Sequence, residues 1–187
     1  MRLIGASLGP RDRYVAPPDQ RSYQSFVARC HMPGGAWDTI RMQELKLIAL
    51  DPEDLRVLSC HLQDAVMRVG DMAFLGRDMR FAAIANRFDW EGAVKEGPDA
   101  YRRRRSGVRF ERVKAARVQG FDPSQKDSVL SLLAVTFEPG EEPSGAVTLH
   151  FAGGAALQLE VECIEAELRD LGAAWRANSK PAHASDE

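Results

Sequence analysis

The chain has 187 residues, 44% of them hydrophobic, and a net charge of −2. That is length and apolar material for one domain with a substantial core. No apolar run approaches the roughly 20 residues that cross a bilayer as a helix, and three widely spaced cysteines without a CxxC pair support neither a disulfide framework nor a zinc site.

Residues 1–41, rich in proline and glycine and without sustained period, are expected to stand outside the fold as a disordered leader or a misassigned start, since Met42 immediately precedes the first periodic segment. The opening MRLIGASLG is too short in its apolar part for a secretory signal. The cytoplasm is therefore the expected location. Six arginines and three aspartates lie in 1–41, so a chain of net charge −2 leaves the remainder at −5. This argues against affinity for bulk nucleic acid.

The first periodic segment, Glu44 to Leu50, reads as a strand. Asp51 then caps a helix: Pro52 suits its first position, Glu53 and Asp54 complement the dipole, and Leu55, Leu58, Leu62 and Ala65 form a buried stripe. Val66 to Leu75 and Phe81 to Trp90 read as a hairpin around Gly76, Arg77 and Asp78, with a bend at Gly70. A polar loop is predicted from Glu91 to Arg105. Val108 and Phe110 then share one parity and Val113 and Ala115 the other, which predicts a bulge near Arg112. Val129 to Phe137 reads as a strand covered on both sides.

Near the carboxyl end, Val147, Leu149 and Phe151 alternate, as do Leu157, Leu159 and Val161. Both sets are odd-numbered, so only a three-residue loop, Ala152 to Gly154, brings them to one face. That loop pairs Leu149 with Leu157 and Val147 with Leu159, with Gly154 left-handed. Ile164, Leu168, Leu171 and Trp175 recur at helical steps and predict a terminal helix. Residues 42–178 then form a single domain, followed by a disordered tail, 179–187. The class is α+β: a strongly bent antiparallel sheet of about seven strands, a pleckstrin-homology-like barrel capped by the C-terminal helix, with one extra helix after the first strand. The competing arrangement is an open antiparallel sheet with both helices on one face.

Signatures of common hydrolases, kinases and dehydrogenases are absent. Tyr101 with Arg102, Arg103, Arg104 and Arg105 could grip phosphates or RNA. The plainer readings are a solvated loop or ion pairs with Glu160, Glu162, Glu165 and Glu167. His150 lies on the outward parity near Gln158 and Glu160, so His150 with Glu160 or Glu162 is the one acid–base set to consider. Cys60 and His61 are adjacent on a helix and point about 100° apart, which suits no shared ion. The segment Asn86 to Trp90, two aromatics with an amide and two charges at a strand end, could form a recognition patch; more simply, Phe88 and Trp90, of parity equal to Ile84, extend the core. No cofactor or metal is implied. The leading expectation is a cytoplasmic, non-enzymatic domain that binds a protein or small ligand.

The blocks LKLIALDPEDLRVLSCHLQDAVMRVGDMAF, RFAAIANRFDWE and FAGGAALQLEVECIEAELRDLG resemble a family of small alphaproteobacterial proteins of unknown function, over a span from Met42 to the tail. Members are often encoded beside histidinol dehydrogenase. The resemblance implies a bacterial cytoplasmic setting and carries no ligand or catalytic residue with it.

Overall fold

The computed structural model describes residues 6–7, 44–90 and 101–177. The rest of the expected leader, residues 91–100 of the expected loop and the expected tail over 179–187 lie outside the described residues. In chain order the elements are β1 (Ala6–Ser7), β2 (Lys46–Ala49), α1 (Pro52–Leu62), β3 (Val66–Leu75), β4 (Arg80–Phe88), β5 (Arg102–Phe110), β6 (Val113–Gln119), β7 (Val129–Pro139), β8 (Gly145–Phe151), β9 (Ala156–Val161), β10 (Ala166–Asp170) and β11 (Trp175–Arg176).

Hydrogen bonding links the strands in the order β1-β6-β9-β8-β7-β3-β4-β5-β10-β2, with β11 on β5. All pairs are antiparallel except β1 with β6. The path turns from one sheet into a second at two places. β7 pairs with β3 through Val129–Ser131 and with β8 from Leu132 onward. β5 gives way to β6 at Arg112, whose φ of 58° makes a corner between two strands where a bulge within one was expected. The inner faces of both sheets join one core with α1, through Leu55, Leu58, Phe81, Phe110, Leu149 and Leu159 among others.

Local chemistry explains most elements. Asp51 accepts the Asp54 amide at 2.8 Å and Pro52 opens α1, as predicted. Its leucine stripe is buried, and the hydroxyl of Ser59 accepts the Val135 amide at 2.8 Å, tying helix to sheet. The β8–β9 hairpin has the predicted register, Leu149 opposite Leu157 and Val147 opposite Leu159, with Gly153 and Gly154 both left-handed in the three-residue turn. The β3–β4 register breaks between Met67 and Met72, around Gly70.

Four expectations are corrected. The segment expected to be a terminal helix is strand β10, held between β5 and β2. Ile164, Ala166, Leu168 and Asp170 are buried at alternate positions, whereas Leu171 and Trp175 are exposed. Positions four apart satisfy both periods, and pairing on both edges decides for the strand. Among the described residues the ladder has eleven strands rather than about seven, because β10, β11 and β1 join it and the corner at Arg112 divides one predicted strand in two. Among the described residues it is an open path with β1 and β2 at its ends and carries no C-terminal helix, so the expected pleckstrin-homology-like barrel capped by such a helix is not found there. The single described α-helix follows β2, as expected of the extra helix. Cys60 is disulfide-bonded, against the expectation of no bridge, and Cys163 is a free thiol.

Candidate binding face

The inner face of the second sheet is built in rungs. Phe81, Phe110 and Ala166 lie in register, then Ala83, Val108 and Leu168, then Ala85, Ser106 and Asp170, and finally Arg87 opposite Arg104. The face thus passes from hydrocarbon to buried charge. Arg87 donates to both oxygens of Asp170 at 2.9 and 2.8 Å, and Ser106 Oγ and the Leu45 amide donate to the same carboxylate at 2.7 and 3.0 Å. Arg104 pairs with Asp89 at 3.0 Å and lies 3.9 Å from Asp170. Burial opposes the charge on Asp170 more than any single contact favours it. The hydrogen bonds from Arg87, Ser106 and Leu45 and the charge of Arg87 together outweigh it and hold the carboxyl below its ordinary range. Such a closed network holds strands in place and has no free group for chemistry.

The outer face of the same sheet is different. Ala82, Arg109, Glu167 and Ile48 form one rung, where Arg109 bridges Glu167 at 2.5 Å and Glu111 at 3.0 Å, and Glu111 also binds Arg80. The next rung is Ile84, Gly107, Arg169 and Lys46, and beyond it Val66, Asn86 and Arg105. Lys46, Arg105 and Arg169 are exposed and none has a side-chain hydrogen bond or ion pair among the described residues. Ile48, Val129, Leu171 and Trp175 add exposed hydrocarbon on or beside this face. The combination is an open, cationic and partly apolar surface.

A groove of about 230 Å³ indents it, lined by Val66, Arg68, Asp71, Ile84, Asn86, Arg105 and Val129. The β3 bulge opens it. Gly70 turns its amide to the Lys126 carbonyl at 2.8 Å, away from the β4 ladder, leaving Arg68 and Asp71 as one wall.

The predicted site residues separate. The arginine run is not a loop: it begins β5, and alternation divides it. Arg104 turns inward to Asp89. Arg103 donates to the Asp64 and Asn86 carbonyls at 3.2 and 3.0 Å and lies 5.9 Å over the Phe88 ring, and burial lowers its pKa against the raising influence of Asp64. Tyr101 packs on Phe88 at 5.8 Å, and Trp90 at 4.5 Å, so Phe88 anchors a satellite aromatic cluster and not the central core. Arg102 opens the strand opposite Arg176. Only Arg105 of the run reaches the groove. The glutamates are answered by other arginines, Glu160 by Arg117 at 3.2 Å, Glu165 by Arg112 and Glu167 by Arg109.

His150 is 3% exposed, with Nε2 2.8 Å from Thr136 Oγ1, and burial lowers its pKa. It lies opposite Ala156 while Glu160 lies opposite Ala146, a separation of about 13 Å along the strand. Glu162 donates its amide to the Arg112 carbonyl at 3.0 Å, beyond the end of β9. The structure does not bring His150 and these acids together. Asn86, at the start of the candidate patch Asn86 to Trp90, reaches the groove, whereas the sequence did not single out Lys46 and Arg169, although the alternation of Lys46 and Ile48 with Leu45, Leu47 and Ala49 places the first outward.

Among the described residues no group of His, Cys, Asp or Glu is placed to hold a metal ion, and no described helix is long and apolar enough to cross a membrane. The fold and its open face define an α+β domain whose distinctive surface is one side of an antiparallel sheet. The chain belongs to the family described as Protein of unknown function (DUF2948), whose model matches residues 45–183. Neither a curated protein nor a solved structure gives a significant match.

Proposed function

We propose that this is a non-enzymatic binding domain that docks an acidic protein segment on the outer face of its second sheet. The observation that carries this reading is the set of three exposed cations on one sheet face, Lys46, Arg105 and Arg169, without partners among the described residues, in a chain whose net charge is −2. Elsewhere on that face the arginines are matched by glutamates. A cation left unmatched beside exposed hydrocarbon is a charge-complementary contact in waiting, and it also steers encounter. The dispersal of the arginine run between two faces weighs against a continuous phosphate-binding strip.

Panning the full chain against a displayed library of random 12-residue peptides tests this. Enrichment of Asp- and Glu-rich peptides, with affinity lost in a Lys46→Ala, Arg105→Ala, Arg169→Ala variant, is the expected result. Enriched peptides without acidic bias, undiminished affinity in the triple variant, or binding of single-stranded RNA with no acidic peptide selected would overturn it.

A further inference from the structure

From the groove beside Arg105 we infer the chemistry of the docked segment: an acidic stretch that inserts one apolar side chain between β3, β4 and β7 and sets an adjacent carboxylate on Arg105. This inference rests on the docking face proposed above. The groove, about 230 Å³, is below the roughly 300–1,000 Å³ of cofactor and drug-sized sites. It matches a single anchor side chain, the unit that supplies most binding energy at a protein interface.

The walls specify the anchor and its neighbour. Val66, Ile84 and Val129 give a hydrocarbon lining, with Val129 61% exposed and available to a ligand. Arg105 lies directly across the ladder from Asn86, and Asn86 across from Val66, so a guanidinium, an amide and an aliphatic group follow one another in a line across three strands. A guanidinium fork matches a carboxylate with two parallel N–H···O bonds, and the Asn86 amide can donate a third. Arg68, across from Val129, adds positive charge on the far side, where its contact with Asp127 is long, at 3.7 Å. Asp71 stands in the same wall and repels a second carboxylate entering there. The groove therefore favours an acid on the Arg105 side of the anchor.

Three blocked pentapeptides, Glu-Glu-Leu-Glu-Glu, Glu-Glu-Ala-Glu-Glu and Gln-Gln-Leu-Gln-Gln, titrated into the full chain test this by amide chemical shifts and binding isotherms. The leucine peptide should bind about tenfold or more tightly than the alanine peptide, the scale for burying a leucine in place of an alanine. The largest shifts should fall on Val66, Asn86 and Arg105. Val66→Trp, which fills the groove while leaving Lys46 and Arg169 in place, should abolish that preference, its unchanged spectral dispersion reporting a native fold. Arg105→Ala should remove the preference for the glutamate over the glutamine peptide. Equal binding of the leucine and alanine peptides overturns the anchor while leaving the docking face intact. Absence of binding by either glutamate peptide overturns both.

Discussion

Arg87 on β4 and Asp170 on β10 are joined by two parallel hydrogen bonds, 2.9 and 2.8 Å long, between side chains that are 6% and 0% exposed. They are not neighbours in the ladder, because β5 lies between them and contributes Ser106 and Arg104 to the same cluster. The pair therefore ties three strands together. Through the Leu45 amide it also fixes the start of β2, where Lys46 projects onto the docking face.

Removing one member of this pair should cost far more than replacing both. Asp170→Ala leaves Arg87 without its carboxylate in a buried site, and a loss of about 3–5 kcal/mol is expected. Arg87→Met with Asp170→Leu should recover most of that loss, because the desolvation of both ions is relieved together. Urea unfolding of the wild type, the two single variants and the double variant measures the coupling. A loss below about 1 kcal/mol for Asp170→Ala would contradict a structural role for the network.

Two buried groups should shape stability against pH in separate windows. The folded-state pKa of Asp170 is depressed. Its contribution is thus present above its unfolded value of about 4 and lost as pH falls through the lower folded value. Asp170→Asn should flatten that acid limb. His150 is also depressed, but as a base: above its unfolded value of about 6.5 both states are neutral, and below it the unfolded chain takes up the proton first. Stability should fall as pH drops from about 6.5, until the folded pKa is reached. His150→Gln should remove this decline, as read from unfolding free energies measured at successive pH values.

Leu168 and Leu171 distinguish a strand from the expected helical stripe. Leu168 is fully buried and Leu171 is 51% exposed over Gly107. Leu168→Ala should cost about 2–5 kcal/mol, whereas Leu171→Ala should stay within about 0.5–1 kcal/mol. Equal large losses in thermal or chemical unfolding would restore the helix, because its stripe buries both.

Gly70 is needed for a close approach. A Cβ there would stand 2.8 Å from the Lys126 carbonyl oxygen, a backbone atom held by its own hydrogen bond to the Gly70 amide. Gly70→Ala should cost about 1–3 kcal/mol, the scale of overpacking. It should also displace the 124–128 turn, visible as faster amide exchange at Val69 and Gly70, whose amides bond Ser128 and Lys126.

Much of the fold is legible in local residue order. Asp51-Pro52 with the leucines of α1 names a helix start, and the odd-numbered apolar residues around Gly153-Gly154 permit one hairpin register. The parity change at Arg112 marks the corner between sheets. The family's match over residues 45–183 covers the segments that carry the resemblance to proteins of unknown function. The candidate site was less legible. Arg105 stood in a conspicuous run, but its companions Lys46 and Arg169 are isolated along the chain and meet only across the β2, β10 and β5 rungs.

The sequence by itself determined the local devices: the cap, the turns, the alternation of β8 and β9, and the bend at Gly70. Only the tertiary structure decided that Ile164 to Asp170 is a strand, that Asp170 is a buried counter-ion, and that three scattered cations share one open face. The physical reason is range. Caps and turns are settled by groups within a few residues of one another. Leu168, by contrast, satisfies helix and strand periods equally, and its state depends on partners at Leu47 and Val108, more than 50 residues away, whose pairing outweighs intrinsic propensity.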